Sequence, residues 1–354
     1  MKKTPELSFH PSRLALAAAA GLLAVGSAQA QSSVQAYGLI DVNVGSFQNA
    51  GGLKVKRMDS GDMSTSYIGF KGREDLGGGL AANFQLESFL LADTGGASRV
   101  PGVDVFWARN ANVSLSGGCG TLKLGRQGPP LFVSTLIFNS FGDSFGFSPS
   151  IRQYYNAPAG TPLVGDSGWN NAVGYSTPSM GGLSANLLVA AGEGAATAKG
   201  KNVGGNVLYF GGPFAFTVAA QKVMAQGVLG RGISAFPGFE SQTAYQVGGS
   251  YNLGFAKLFA QYGKISTNAT ADVDTKTLNL SASVPVGPGA FNVAYGSSKM
   301  TTQGSSAAPK STILTAGYSY SLSKRTDLYA VYMLDKYTGK SNGTNLATGI
   351  KTTF

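Results

Sequence analysis

Asn345-Leu-Ala-Thr-Gly-Ile-Lys-Thr-Thr-Phe354 closes the chain, and it alternates. Leu346, Thr348, Ile350, Thr352 and Phe354 share one face; Asn345, Ala347, Gly349, Lys351 and Thr353 share the other. A period of two marks a strand with two unlike faces. A strand that crosses a bilayer needs about 9–11 residues when tilted, with apolar side chains toward lipid and polar ones inward. The segment meets both requirements.

The same unit recurs upstream. Alternating runs occur at 34–47, 64–75, 79–92, 104–116, 120–127, 169–179, 182–192, 202–211, 213–223, 243–253, 255–266, 275–286, 289–299, 311–322, 325–337 and 345–354, sixteen in all. In 275–286, Leu278, Leu280, Ala282 and Val284 oppose Thr277, Asn279, Ser281 and Ser283. Short glycine-marked connections such as Leu76-Gly-Gly-Gly79, Gly181-Gly182 and Gly287-Pro-Gly289 alternate with long ones at 48–63, 93–103, 128–168, 193–201, 224–242, 267–274, 300–310 and 338–344. Glycine supplies the positive φ of tight hairpins. A soluble sandwich also alternates, but its strands average five or six residues. The expected fold is all-β: a 16-stranded antiparallel transmembrane β-barrel with short periplasmic turns and long outer loops.

The front end fits an exported chain. Lys2, Lys3 and Arg13 precede an apolar core, Leu14–Val25, and Ala28-Gln29-Ala30 supplies an A-x-A cleavage site. This reads as a signal peptide over 1–30, removed to leave a single barrel domain over 31–354. The core falls short of the ~18–20 residues of a spanning helix. Only 12% of the chain is charged and 51 residues are Gly, where a soluble domain carries about a quarter charged residues. Lys and Arg outnumber Asp and Glu, chiefly beyond residue 131. An export signal turns that excess away from nucleic acid and toward anionic lipid or an anion pathway. The single cysteine, Cys119, cannot form an internal disulfide.

Ser66-Tyr-Ile-Gly-Phe-Lys-Gly-Arg-Glu-Asp-Leu-Gly-Gly-Gly-Leu80 with Gln85-Leu-Glu87, Gly120-Thr-Leu-Lys-Leu-Gly-Arg-Gln127, Asn171-Ala-Val-Gly-Tyr-Ser-Thr-Pro178, Leu322-Ser-Lys-Arg-Thr-Asp-Leu-Tyr329 and the terminal Phe354 occur in an order that resembles the Gram-negative trimeric general porins, in their betaproteobacterial branch. The resemblance covers the whole mature chain. It implies a homotrimer, passive diffusion of small hydrophilic solutes and ions, an inward-folded third loop, and Phe354 as a C-terminal assembly signal. Outer-membrane lipid and lipopolysaccharide are then the surroundings. The chain departs from the family at Tyr67, where Arg is common, at Cys119, where Phe is common, and at Thr352, where His is frequent.

Passive diffusion needs a constriction of set width and field, not a nucleophile. The longest loop, 128–168, carries Phe132, Phe138, Phe141, Phe145 and Phe147, more aromatic than a solvated loop needs to be. It is taken as the constriction loop, with Asp143 and Asp166 its acidic residues and Arg152 its basic one. Opposed charges around a pore tune selectivity. The wall candidates are Lys71 and Arg73, which share the polar face of 64–75, Lys123 on 120–127, and Arg109 and Arg126. Simple alternation points the last two at lipid, at a cost of about 2–4 kcal/mol for a midplane Arg. A bulge, a trimer-interface site or a lumen position despite parity would each resolve the conflict. Lys54, Lys56 and Arg57 form a basic cluster high on the wall, either solvated or an anion funnel.

Enzyme classes fare poorly. The only histidine, His10, leaves with the signal peptide, which removes His-based triads and His-ligated metals. No cofactor motif is present. A substrate-specific channel for small anionic solutes would show an aromatic slide or a dense basic track, whereas the lumen faces are mostly Ser, Thr, Asn, Gln and Gly. The reading is a general pore with a weak anion preference.

Overall fold

The computed structural model describes residues 33–99, 104–155, 163–192, 200–225 and 235–354. The signal peptide expected over 1–30 lies outside them.

One antiparallel sheet runs through the described residues and closes on itself. Its first half comprises β1 (Ser33–Phe47), β2 (Val55–Ser60), β3 (Tyr67–Gly77), β4 (Leu80–Leu91), β5 (Gly96–Ala97), β6 (Asn110–Gly117), β7 (Gly120–Gln127), β8 (Trp169–Ser176) and β9 (Leu183–Ala191). The second comprises β10 (Lys201–Gly211), β11 (Phe214–Met224), β12 (Ser241–Asn252), β13 (Lys257–Asn268), β14 (Val273–Val286), β15 (Gly289–Thr302), β16 (Lys310–Ser321), β17 (Thr326–Tyr337) and β18 (Gly343–Thr353). β1 and β18 pair from Leu39↔Thr353 to Ser46↔Leu346. Closure leaves no row of unpaired N–H and C=O groups, which a bilayer would not tolerate.

These segments make the sixteen expected wall strands. β2 and β3 both pair with β1, one along Val42–Phe47 and the other along Ser33–Leu39, so together they form one interrupted wall strand. β5 is a two-residue ladder beside the outer end of β4. The interruption corrects the expected loop over 48–63, which contains β2, and delays the strand expected from 64 until Tyr67. Its cause is Asp41. This buried carboxylate accepts hydrogen bonds from Met63 N at 2.7 Å and Ser64 N at 3.1 Å, and Tyr329 Oη donates to it at 2.7 Å. Backbone donors that would extend the ladder instead turn inward onto a charge. The strand expected over 104–116 also starts later, at Asn110, because residues 104–109 form turns.

Side-chain partition is the inverse of a soluble protein. Val113, Leu122, Leu124, Phe214, Phe216, Leu278, Leu280 and Leu314 are exposed on the outside, while Gln246, Gln261, Thr277 and Asn279 are buried inside. At the join, Phe354 N donates to Gly38 O at 3.2 Å and Gly38 N to Phe354 O at 3.3 Å. The Phe354 ring lies where a Cβ on residue 38 would sit. The closing aromatic therefore requires a glycine across from it.

Burial inside the cylinder comes from the loop after β7. It forms α1 (Pro130–Ile137) and α2 (Pro149–Tyr155). A proline in the first turn of each suits a position whose N–H has no intrahelical acceptor. Both helices fold into the lumen. Ser134 Oγ lies 2.8 Å from Thr217 Oγ1, Asn206 Nδ2 donates to Pro130 O at 2.9 Å, Ser150 Oγ donates to Gln261 Oε1 at 2.6 Å, and Thr315 Oγ1 donates to Phe147 O at 2.8 Å. Apolar contacts add to this: Leu131 and Tyr154 pack on Ala219, Ala244 and Ile265, and Phe141 and Phe147 on Ala294, Tyr329 and Val331. The inward third loop is thus present, and its aromatic residues are its packing surface.

Candidate functional site

The loop lies against the inner wall from β9 to β16, which leaves open lumen on the opposite side. There a cavity of about 300 Å³ separates Phe132, Val133, Leu136, Asp143 and Phe145 of the loop from Gln85, Arg109, Asn110, Lys123 and Gln127 of the wall. A second recess, of about 310 Å³, is lined by Ser33, Gln35, Lys71, Arg73, Asn83 and Lys123. Lys123 borders both.

Glu87 organises the wall. It is buried, and it accepts from Tyr37 Oη at 2.5 Å, Gln85 Nε2 at 2.9 Å and Asn110 Nδ2 at 2.5 Å, while Arg109 Nε lies 3.2 Å away. The Arg109 guanidinium also lies over the Tyr67 ring, 4.2 Å from its centre. Lys71 Nζ sits 4.6 Å from the centre of the Tyr37 ring. A carboxylate and two aromatic faces hold these cations in place, since ring faces attract cations. Tyr67, where the family commonly has Arg, thus serves as the platform under Arg109. On the loop, Ser64 Oγ donates to Asp143 Oδ1 at 2.9 Å and fixes that carboxylate beside the cavity.

The expected site residues divide. Lys71, Arg73, Lys123, Arg109 and Asp143 border the two cavities. Arg109 escapes the alternation rule because it precedes β6, with its N–H donating to Glu87 O at 3.2 Å. Arg126 sits at a break in register between Gly125 and Gln127, where Gly125 has φ +117°. Its guanidinium donates to Ala108 O at 2.5 Å and Asn170 Oδ1 at 2.6 Å, so it braces loop bases and does not line the constriction cavity. Asp166 of the loop pairs with Arg99 at 2.9 Å, which also pairs with Asp104 at 3.2 Å. Arg152 lies in α2 of the same loop. It is buried, donating to Gly146 O at 3.1 Å and Asn49 Oδ1 at 2.8 Å, with Asp335 at 3.7 Å. Burial pushes its guanidinium pKa down, and Asp335 opposes that shift. It pins the loop to the wall. Arg57 pairs with Asp59 at 2.7 Å at the outer end of β2.

The Glu87 network, Arg99 and the Asp335 anchor are not singled out by the sequence, in which Glu87 enters only as the end of the Gln85-Leu-Glu87 motif. Each depends on a partner from a distant strand or loop, which alternation does not reveal.

A sealed cylinder, apolar outside and polar within, narrowed by its own loop and bordered by fixed charges, is an outer-membrane diffusion channel. A profile of the Gram-negative porins matches residues 15–340, and the chain belongs to that family. Outer membrane porin protein 32 of Delftia acidovorans is 35% identical over 325 residues, 89% of this chain and 87% of the relative. The anion-selective porin from Comamonas acidovorans superposes with a TM-score of 0.75 at 27% identity, covering 92% of this chain and 100% of the other. OmpT of Vibrio cholerae in its trimer form shares the fold, with a TM-score of 0.68 at 14% identity over 91% and 99%. The protein is a general diffusion porin of the outer membrane, and its family and fold are those of channels.

Proposed function

We propose that the mature chain, residues 31–354, works as a homotrimer without enzymatic activity, and that its pore prefers anions weakly. One observation carries the ion preference: four wall cations, Lys71, Arg73, Lys123 and Arg109, line the two cavities of the open lumen, and of the loop's two carboxylates Asp143 joins them there. Glu87 offsets Arg109 within the wall. Fixed charge of one sign along a narrow aqueous path raises the local concentration of counter-ions. The polar, uncharged side chains on the rest of the lumen face favour general passage over recognition of one solute.

The chain closes its barrel between β1 and β18, and the greasy outer faces of β1 to β4 beside that seam are the proposed trimer contact. Neutralising Lys71, Arg73 and Lys123 together as Gln should move the reversal potential in a potassium chloride gradient toward the potassium value. A reversal potential unmoved by the triple change would remove these residues from the ion path.

A further inference from the structure

Three of the loop's five phenylalanines, Phe138, Phe141 and Phe147, are buried against the wall. The other two are not. Phe132 and Phe145 line the constriction cavity together with Val133 and Leu136, and all four are partly exposed. Phe132, Val133 and Leu136 fall at i, i+1 and i+4, so they share one face of α1. The opposite, buried face carries Ser134 and Thr135. There Ser134 Oγ lies 2.8 Å from Thr217 Oγ1, and Gln246 Nε2 donates to Thr135 Oγ1 at 3.1 Å. The helix is thus inverted, with hydroxyls in its packed side and apolar side chains toward the water of the pore. A hydrated inorganic ion gains nothing from such a face, and apolar surface left in water is unfavourable.

The face is also braced. Phe132 meets the Tyr155 ring edge-on with centres 5.0 Å apart, and Phe145 closes the cluster at 6.1 Å from Phe132 and 6.4 Å from Tyr155. Rings in such arrangements attract one another and hold their positions. Across the cavity stand Arg109 and Lys123. Arg109 is partly offset by Glu87 at 3.2 Å. Among the described residues, Lys123 has no carboxylate within 4.0 Å. Asp143, tied to Ser64 Oγ beside the same cavity, disfavours a second negative charge on whatever passes. This lining suits a solute with a flat apolar body and one anionic group. At about 300 Å³ the cavity lies at the lower end of small-ligand pockets.

We propose that the constriction is a transient binding site for aromatic monocarboxylates, with the ring on Phe132, Leu136 and Phe145 and the carboxylate on Lys123 and Arg109. Passage of other solutes stays general; this class is held for longer at the narrowest point. The proposal rests on the anion preference inferred above and narrows it to a class of solute.

A solute held at the constriction interrupts the chloride current while it resides there. The test therefore records the purified porin in planar bilayers in potassium chloride at constant ionic strength. Benzoate is compared with acetate, which has the charge without the ring, and with benzylammonium, which has the ring with the opposite charge. Half-block by benzoate should need a concentration about tenfold lower than by either, the effect of covering part of one ring. Phe132→Ser with Leu136→Ser should bring benzoate to the level of acetate. Lys123→Gln should raise the half-blocking concentration of benzoate about threefold, the scale of one exposed ion pair, and Lys123→Arg should restore it. Equal block of the wild type by benzoate and acetate, or by benzoate and benzylammonium, would overturn the proposal, as would undiminished benzoate block in the double serine variant. The reversal potential of the wild type separates the two levels. If it lies on the chloride side while benzoate blocks no better than acetate, the aromatic site alone falls. If it lies on the potassium side and benzylammonium is the stronger blocker, the ion preference falls and the proposal with it.

Discussion

Replacing Arg152 with Met would test how the constriction loop is held. Arg152 is buried, and Asp335 beside it is almost fully so. At 3.7 Å, two unit charges attract by about 4.5 kcal/mol for an effective dielectric constant near 20. Methionine fills much of the space but removes the charge and the hydrogen bonds to Gly146 O and Asn49 Oδ1. Asp335 would keep one donor, Ala50 N at 3.2 Å. Stranding one member of a buried pair costs about 3–5 kcal/mol, and the remaining donor places the expected loss near 3. Other anchors, such as Ser150 to Gln261 and Thr315 to Phe147 O, stay intact, so the loop should loosen and not leave the lumen. Chemical denaturation of the refolded barrel should show the loss. Single-channel records should show added current noise at an average conductance close to wild type. Adding Asp335→Asn should recover more than half of the lost stability, because no charge is then stranded. A loss below about 1 kcal/mol, or no recovery in the double variant, would refute the anchoring role.

Asp62, in the turn between β2 and β3, has its carboxyl pKa pushed up to about 7 by burial and by nearby Asp59. Its folded pKa lies above its unfolded value, so its ionisation costs stability. The cost is complete above about pH 7, shrinks as pH falls toward 4, and vanishes below the unfolded pKa. Asp62→Asn should therefore raise the unfolding midpoint most at pH 8 and progressively less toward pH 4; an increment that does not vary with pH would contradict this. Gly38→Val places a side chain where the Phe354 ring packs, and overpacking of this kind costs about 1–3 kcal/mol. Its signature should be a lower midpoint, partly restored by Phe354→Ala, and a normal midpoint for Gly38→Val alone would rule the contact out. Glu87→Gln should unsettle Arg109 by removing its charge partner, and with one negative wall charge gone the reversal potential should move further toward the chloride value.

Alternation made the barrel legible because one face must be apolar and the other wet along every strand, so each strand repeats the same information. It failed where the backbone leaves that regime. Asp41 draws 61–66 out of the ladder, and only the folded topology brings Met63 N and Ser64 N to its carboxylate. Arg109 and Arg126 defied parity for separate local reasons, one before a strand begins and the other beside the Gly125 bulge. The aromatic loop was readable as inward-folding, since five phenylalanines need something to pack on. Its charges were not readable in the same way. Arg152 and Asp166 are each spent on partners far along the chain, Asp335 and Arg99, and nothing in the loop's own residues separates a buried anchor from a pore-lining charge. Asp143 remains at the opening because its partner is a hydroxyl, Ser64 Oγ, and not a cation.

The most direct test is to place a reporter where the ion path is held to be narrowest. Asp143→Cys, in a Cys119→Ser background, puts a thiol beside the cavity facing Arg109 and Lys123. Reaction with a bulky thiosulfonate while single-channel current is recorded should lower the current stepwise, and a cationic reagent should also shift the reversal potential further toward chloride than an anionic one. Complete labelling, verified by mass, with current and reversal potential unchanged would mean that ions do not pass between this loop and the basic wall.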